Sequence, residues 1–324
     1  MQIQKNDKKI DFAVGGQAVI EGVMMRSPNT IVVAVRKQNG SIKTHDRFYR
    51  TLTQRFKFLN IPFVRGIINL FEMMGVGMGA VNFSATESVS FQDPNNAEST
   101  EQKLSIWMKL LNAFLFLLSF VFAIALTILL FKFLPLWITT FLESKSIFIK
   151  DNYIIFNLID GILKISFFVL YIFILSIIPS FRRIFEYHGA EHKSIFAYEN
   201  NLSLTVENAK KQTRFHPRCG TSFILIVLLI SIAVYTFVPR QETFTENLIL
   251  RIALLPLIAG ISYEYLKLSA KFANKGIAKI LVAPGLWLQR ITTKEPDDKQ
   301  LEVALTSLKI ALEKERKSTS SPPS

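Results

Sequence analysis

Residues 110–131 read LLNAFLFLLSFVFAIALTILLF and contain no charged side chain. A helix of about 20 apolar residues is long enough to cross the hydrocarbon core of a bilayer, which is about 30 Å thick. We therefore predict a transmembrane helix here. The whole chain agrees, because 50% of its residues are hydrophobic, only 19% are charged and its mean hydropathy is +0.30. This composition excludes an ordinary soluble protein and indicates a mainly α-helical, polytopic membrane protein.

Three further apolar stretches are predicted to span the membrane: residues 165–181, 221–238 and 247–266. The last of them carries Arg251 near one end and Glu264 near the other. The predicted fold class is therefore a membrane protein with about four transmembrane helices, a small cytoplasmic β-unit near the N-terminus and an amphipathic C-terminal helix.

Residues 66–85 are also apolar apart from Glu72, and they contain Gly75, Gly77 and Gly79. We interpret them as a helix that lies at the membrane interface or packs against a span, with the glycines allowing close approach. The alternative is a fifth crossing. Because that crossing would export the basic N-terminal segment, the interfacial interpretation is favoured.

The basic residues predict the orientation of the chain. Most of the 38 lysines and arginines lie in residues 1–109, in residues 182–218 and from residue 267 onward. Lys and Arg are enriched in cytoplasmic loops, so four spans in a bacterial plasma (inner) membrane, with both termini cytoplasmic, satisfy the pattern. Topology and the anionic lipid bilayer explain the net charge of +13, and no nucleic-acid partner is expected. The single cysteine, Cys219, gives no disulfide framework.

Two segments outside the spans have residue patterns that predict secondary structure. The stretch NTIVVAVRKQNGSIKTHDRFY, residues 29–49, is rich in β-branched residues and contains Asn39–Gly40, a dipeptide favoured in β-hairpin turns. It predicts the small β-unit. After Pro296, leucines recur at helical spacing and predict the amphipathic helix: Leu301, Leu305, Leu308 and Leu312.

These predictions divide the chain into five parts. They are a cytoplasmic N-terminal β-unit with the interfacial helix (1–105), transmembrane helices 1 and 2 (106–181), a cytoplasmic loop (182–218), transmembrane helices 3 and 4 (219–266) and a cytoplasmic C-terminal segment (267–324). Within the first part, the polar residues 88–103 are predicted to be a linker.

The stretch EYHGAEHK, residues 186–193, holds two of the four histidines in the chain. On a helix, His188 and His192 lie on the same face one turn apart, an arrangement in which two imidazoles can bind one metal ion. Glu191 would then be placed to act as a general base toward water beside the metal, as in the H-x-x-E-H pattern. The alternative is that the histidines hydrogen-bond to lipid phosphates or to neighbouring carbonyl groups.

Further ligand candidates are His216 and Cys219 in RFHPRCGTS, residues 214–222, together with Glu21 and Glu264. If His216 and Cys219 join His188 and His192, the metal has four protein ligands and the site is structural. If the third ligand is instead a carboxylate from Glu21 or Glu264, one coordination position stays open for water. The expected cofactor is a divalent metal, with zinc favoured by these donors.

Six blocks of sequence resemble the bacterial YqhQ family: GGQAVIEGVMMR (15–26), PFVRG (62–66), YHGAEHK (187–193), LTVENAKK (204–211), RFHPRCGTSF (214–223) and APGLWLQRITTKEPDDKQLEVAL (283–305). That family consists of membrane proteins that share a domain of unknown function and are labelled predicted metal-dependent enzymes. The resemblance covers nearly the whole chain and implies one metal site formed by His188, Glu191, His192, His216 and Cys219.

Two functions follow as hypotheses. The first is a metal-dependent hydrolase at the cytoplasmic face of the membrane, with His188, His192 and His216 as ligands and Glu191 as the catalytic base. The second is a non-catalytic scaffold or accessory protein for protein insertion or quality control, in which a metal is structural and the partners are membrane proteins or further copies of the chain. A channel or transporter is disfavoured, because the predicted spans contain almost no ionisable residues apart from Arg251 and Glu264.

Overall fold

A computed structural model describes residues 14–89, 106–239, 241–271 and 276–320. The predicted linker at 88–103 lies outside the described residues from residue 90 onward. The described chain is mainly helical and has a small antiparallel sheet near its N-terminus, as the sequence predicts. It divides into two compact units: unit 1 contains Met1–Gln92, Ile172–Phe223 and Tyr263–Ser324, and unit 2 contains Asp93–Tyr171 and Ile224–Ser262.

The strands are β1 (Gly15–Val19), β2 (Gly22–Arg26), β3 (Thr30–Arg36) and β4 (Ile42–Phe48). The helices are α1 (Leu52–Arg55), α2 (Val64–Val89), α3 (Ile106–Ile128), α4 (Leu134–Lys145), α5 (Ile147–Lys150), α6 (Tyr153–Ile177), α7 (Pro179–Glu199), α8 (Val206–Lys210), α9 (Gly220–Thr236), α10 (Phe244–Ala253), α11 (Leu255–Lys271), α12 (Gly276–Thr292) and α13 (Asp298–Ser320). A 3₁₀ turn covers Lys57–Leu59, and a π-helical segment, Leu129–Phe133, joins α3 to α4.

The four strands of unit 1 form an antiparallel sheet in the order β1-β2-β3-β4. Its register pairs Val23 with Ala34 and Val33 with His45. The turn between β3 and β4 falls at the predicted Asn39–Gly40, where Gly40 adopts a φ of +84°, a conformation that glycine reaches without a steric penalty. Strand β1 lies at the edge of the sheet. It contacts α7, the helix that contains His188 and His192.

Both faces of the sheet are covered. Val23 and Met25 on one face join a buried cluster with residues of α7 and α13. Met24 on the opposite face packs with Val76 and Ala80 of α2. Because successive side chains of a strand point to opposite faces, burial of both faces explains the uninterrupted apolar runs in β2 and β3.

The C-terminal helix α13 packs on the sheet as an amphipathic helix, which confirms the predicted period. Its four leucines are buried in the cluster shared with the sheet and α7: Leu301, Leu305, Leu308 and Leu312. Glu315 near its end accepts hydrogen bonds from the Ser27 hydroxyl at 2.7 Å and from the backbone N–H of Asn29 at 2.9 Å. These bonds tie the C-terminal helix to the loop between β2 and β3.

Helix α2 contains the stretch that the sequence predicts to be interfacial. It lies against the sheet through Val76 and Ala80, and a Cβ atom added at Gly77 would lie 2.5 Å from Oε1 of Gln17 on β1. Glu72, the charged residue within the predicted stretch, accepts a hydrogen bond from the backbone N–H of Leu52 at 2.9 Å. Within unit 1, α2 therefore contacts both the sheet and helix α1, which follows β4 in the chain.

Three helices of the described residues are long and apolar enough to cross a membrane: Val64–Ser88, Phe114–Lys145 and Tyr153–Ile177. A bent pair, Phe244–Ala253 and Leu255–Leu266, would make a fourth. This set differs from the predicted one, because it includes α2 and because the helix at the third predicted span, Phe223–Thr236, is shorter.

The second predicted span, residues 165–181, is displaced in the structure. Helix α6 begins at Tyr153 and therefore includes Asp160 and Lys164, which the prediction leaves outside the span. The two charged groups form an ion pair of 2.5 Å, and pairing reduces the cost of charges within an apolar helix. The helix ends at Ile177, since Pro179 starts the following helix at its first turn.

Candidate metal centre

The histidine motif lies in the middle of α7, where the helix is most deeply buried. Tyr187 to Ile195 are buried without interruption, because α7 packs against β1, β2, α8 and α13. Gly189 is required at the closest of these contacts. A Cβ atom added there would collide with the backbone carbonyl of Lys294, so glycine at this position allows the segment after α12 to approach the helix.

Three side chains from two segments converge at this point. The candidate ligand atoms of His188, His192 and Cys219 all lie within 4.8 Å of one another. His188 Nε2 is 3.2 Å from Cys219 Sγ, and the centroids of the two imidazole rings are 4.4 Å apart. The spacing of four residues on α7 places the two rings side by side, and the loop before α9 adds the thiol.

Backbone carbonyl groups fix the orientation of both imidazoles. Nδ1 of His188 lies 2.8 Å from the carbonyl oxygen of Thr292, and Nδ1 of His192 lies 2.6 Å from that of Arg214. A carbonyl oxygen can only accept a hydrogen bond, so each Nδ1 carries a proton, and in the neutral form of each ring the lone pair is at Nε2. Metal-bound histidines are held in this way by their second nitrogen.

Nε2 of His192 is buried and has no hydrogen-bond partner among the described residues. Buried polar atoms are nearly always satisfied in native proteins, so an orphan of this kind calls for an explanation such as an ion. A metal ion on the side of the ring that faces His188 and Cys219 would satisfy it. The residues present therefore fit a divalent metal.

Cys219 precedes the first residue of α9 and is buried. Burial by itself raises the pKa of the Cys219 thiol, but the influence of the neighbouring His192 and Thr221 outweighs burial, and the pKa lies below its ordinary value. The Thr221 hydroxyl is 3.0 Å from Sγ. The thiolate is the form of cysteine that binds metals. A lowered pKa favours this form and would therefore favour metal binding by Cys219.

Glu191 lies beside the cluster and against the edge strand β1. Burial raises the pKa of its carboxyl group to about 8, while the neighbouring His188 and a hydrogen bond from the Gly16 backbone act in the opposite direction. A Cβ atom added at Gly16 would lie 2.9 Å from the carboxyl carbon of Glu191. Its Oε2 atom is buried and has no hydrogen-bond partner among the described residues, so Glu191 has one oxygen committed to β1 and one available.

His216, a ligand candidate in the sequence, lies next to the cluster but outside it. Its Nε2 is 3.3 Å from Oε2 of Glu199, and its Nδ1 accepts a hydrogen bond from the backbone N–H of Arg218 at 3.3 Å. A carboxylate oxygen can only accept, so Nε2 carries the proton and both ring nitrogens are occupied. Burial lowers the pKa of His216 to about 4. The ring is thus a neutral neighbour, with its centroid 5.5 Å from that of His192.

The two remaining carboxylate candidates form ion pairs elsewhere in unit 1. Glu21 adopts a φ of +51° in the turn between β1 and β2 and binds the guanidinium of Arg183, with one of the two bonds at 2.6 Å. Glu264 binds Arg65 with bonds of 2.5 and 2.7 Å. The structure therefore does not bring either group into the cluster of His188, His192 and Cys219.

Comparison with known proteins places the chain in a family. Residues 61–314 match the family described as "Protein of unknown function (DUF1385)". The chain belongs to this family. A relative from Bacillus subtilis (strain 168), described as "Uncharacterized protein YqhQ", is 39% identical over 311 residues, which are 92% of this chain and 92% of the relative. The predicted resemblance is confirmed, and no solved structure matches the chain.

The part of the chain that matches DUF1385 also includes supporting residues that the sequence analysis does not identify. Lys193 of α7 is buried and binds Glu295, and its Nζ also donates to the carbonyl of Lys210 at 2.9 Å. The Arg214 guanidinium donates to the Thr293 hydroxyl at 3.0 Å. Each of these residues lies in one of the sequence blocks that resemble the YqhQ family, but a block does not show which of its residues contact one another.

Proposed function

We propose that this DUF1385 protein binds a divalent metal ion, zinc by preference, through His188, His192 and Cys219, and acts as a metal-dependent hydrolase at the cytoplasmic face of a bacterial plasma membrane. One observation carries the proposal: two Nε2 lone pairs, each oriented by a backbone carbonyl at Nδ1, converge with a buried thiol. Two imidazoles and a thiolate form a donor set that suits zinc. Three protein ligands are also the number typical of catalytic zinc sites.

A bound divalent ion would supply Lewis-acid chemistry at this point. The contribution of the chain itself is made by Glu191. Its Oε2 atom is available, and its other contact is with the Gly16 backbone, so the carboxylate is held in position to accept a proton from an attacking water molecule and return it to a leaving group. A neighbouring cation would favour the ionised form that this role requires.

The membrane location follows from the apolar helices and the basic segments. Four spans, with both termini and residues 182–218 on the cytoplasmic side, agree with the distribution of lysine and arginine. The bent pair α10–α11 corresponds to the fourth of these proposed spans if it crosses as one. A substrate for a site in this loop would be a peptide or lipid associated with the membrane.

Burial of the cluster favours a second candidate function. His188, His192 and Cys219 are 7%, 1% and 5% exposed, as expected for a structural metal site that fastens segments together. In that case the chain would be a scaffold or accessory protein for membrane-protein partners, or a homo-oligomer, and the metal would join α7 to the loop before α9.

Metal analysis of the purified full-length protein tests the primary proposal. We expect about one zinc per chain, and we expect it to be lost in His188→Ala and Cys219→Ser but retained in His45→Ala, which changes an exposed histidine on β4. Absence of zinc, iron and manganese above background in the wild-type protein would rule out both candidate functions of the site. Retention of metal together with loss of hydrolysis in Glu191→Gln separates the enzyme from the scaffold.

A further inference from the structure

A group of charged side chains is buried in the interior of unit 2. Asp160 and Lys164, one turn apart on α6, form an ion pair of 2.5 Å, and Arg251 of α10 contacts the same carboxylate oxygen, Oδ2 of Asp160. Their side chains are 0%, 2% and 6% exposed, respectively. The sequence disfavours a transporter because the predicted spans contain almost no ionisable residues apart from Arg251 and Glu264. Helix α6 adds Asp160 and Lys164 to the ionisable residues of the apolar helices.

Positive charge exceeds negative charge in this group. Lys132 is the third cation: its Nζ lies 3.4 Å from the hydroxyl of Tyr235, and among the described residues it forms no ion pair. The three cations surround the Tyr235 ring at 4.8, 5.0 and 5.6 Å from its centroid, for Arg251, Lys164 and Lys132 respectively. Within the described part of unit 2, Asp160 is the one carboxylate that pairs with them. Lys164 and Arg251 are buried and Lys132 is partly buried. Excess positive charge with little access to water is costly, so this excess favours a bound anion.

The backbone is irregular at two of the three cations. Lys132 lies within the π-helical segment Leu129–Phe133. Arg251 lies in the last turn of α10, immediately before the 41° bend to α11. π-helical turns inside α-helices are frequent at functional sites, and interrupted membrane helices commonly line substrate and ion sites. Two independent irregularities therefore occur at the same charged group.

Hydrogen bonds hold the arrangement in place. Asn157 accepts a bond from the Arg251 guanidinium at 2.6 Å, and its amide donates to the Tyr235 carbonyl at 2.7 Å. The Tyr235 hydroxyl donates to the Arg251 carbonyl at 2.9 Å. Asp160 Oδ1 is buried and has no hydrogen-bond partner among the described residues, so the site also presents one acceptor that needs a donor.

We propose that Lys132, Lys164 and Arg251 form a binding site for a phosphate-containing ligand that also carries a hydroxyl, either free hydrogen phosphate or the headgroup of phosphatidylglycerol, whose glycerol carries the hydroxyl. The cations would bind the anionic oxygens, and Asp160 Oδ1 would accept a hydrogen bond from the hydroxyl. Lys132 supplies the cation that is not committed to Asp160. None of these residues belongs to the candidate metal centre, so anion binding and metal binding can be measured independently.

The test uses full-length protein in detergent, with the wild type compared to Lys132→Gln, Lys132→Arg and Lys145→Gln. Inorganic phosphate is titrated by calorimetry, and retained phosphatidylglycerol is measured by native mass spectrometry. Lys145 is the matched control, because it is an exposed lysine at the end of α4, in the same apolar segment as Lys132. Loss of a charge-assisted hydrogen bond corresponds to an affinity about 10- to 100-fold lower. We expect that loss in Lys132→Gln and near wild-type binding in Lys132→Arg and Lys145→Gln.

The two ligand sources give different results. A free-phosphate site binds inorganic phosphate in lipid-depleted protein, whereas a headgroup site retains phosphatidylglycerol through purification and is insensitive to added phosphate. Failure of the wild-type protein to bind either probe would overturn the proposal, as would equal affinities in Lys132→Gln and Lys145→Gln. If Lys132→Gln does not fold, the wild-type titration and the Lys132→Arg variant still decide the outcome.

Discussion

His188 Nε2 lies 3.2 Å from Cys219 Sγ, although 31 positions separate the two residues in the sequence. The opposite nitrogen of the same ring, Nδ1, lies 2.8 Å from the carbonyl oxygen of Thr292. One imidazole therefore links α7, the loop before α9 and the end of α12. This arrangement makes Cys219, and not His216, the third ligand candidate beside the two histidines.

The first prediction concerns the ligand set. Cys219→Ser should lower zinc affinity at least about tenfold, because it removes a ligand, and a ligand contributes at least as much as the outer-shell partners whose loss costs 10- to 100-fold. His216→Ala should leave metal content near the wild-type value, since both nitrogens of His216 are engaged with Glu199 and Arg218. Metal content is measured on purified protein after dialysis against a weak chelator. Equal metal loss in the two variants would mean that His216 is a ligand.

The second prediction concerns the packing of α7. Gly189→Ala should destabilise the protein by about 1–3 kcal/mol, the usual cost of overpacking, because the added methyl group would collide with the carbonyl of Lys294. The measurement is urea unfolding in detergent, followed by tryptophan fluorescence.

Gly75→Ala is the matched control for this substitution. Gly75 is also helical, but an added Cβ atom there has nothing within 4 Å. The exchange should stabilise α2 by about 0.5–1 kcal/mol, because alanine loses less conformational entropy than glycine in a helix. A change of the same sign in both variants would argue against the tight contact at Gly189.

The third prediction separates catalysis from structural metal binding. Glu191→Gln should retain the fold and the metal, because glutamine keeps the shape of the side chain and Glu191 is outside the ligand set. Loss of a general base typically lowers the rate about 10²- to 10⁴-fold. Hydrolysis of fluorogenic peptides and lipid esters in mixed micelles provides the assay. Glu186→Gln, on the same helix and hydrogen-bonded to Gln300 at 3.0 Å, is the control and should retain full activity.

The fourth prediction concerns the attachment of α13. Glu315→Ala should reduce stability by about 3 kcal/mol, since it leaves the buried hydroxyl of Ser27 and the partly buried donors of Asn29 without their acceptor. Glu313→Ala removes an exposed pair with Lys317 and should change stability by less than about 1 kcal/mol. Thermal unfolding compares the two, and similar shifts would mean that the Glu315 contacts contribute little.

The fifth prediction tests the orientation in the membrane. In a Cys219→Ser background, Ser41→Cys and Lys150→Cys each introduce a single exposed thiol. With four spans and cytoplasmic termini, a membrane-impermeant maleimide added to intact cells should label the Lys150→Cys variant and not the Ser41→Cys variant. Labelling of both variants only after lysis would contradict the proposed topology.

The sequence by itself determined the features that depend on local pattern. The leucine period of α13, the hairpin turn at Gly40 and the shared helical face of His188 and His192 each follow from the identity and spacing of neighbouring residues. The apolar runs likewise indicated helices long enough to cross a membrane. The sequence could not tell whether α2 packs on the sheet, because Val76 and Ala80 would be apolar in either case.

Only the tertiary structure decided how distant groups are paired. The atoms that orient His188 and His192 are backbone carbonyls of Thr292 and Arg214, and every residue has a carbonyl, so no side-chain pattern records them. From the sequence, Asp160 and Lys164 are predicted to lie outside a span. In the structure, Arg251 from another helix forms an ion pair with Asp160. In both places, a polar group is stable in the interior because a partner remote in sequence satisfies it, and folding alone brings that partner into contact.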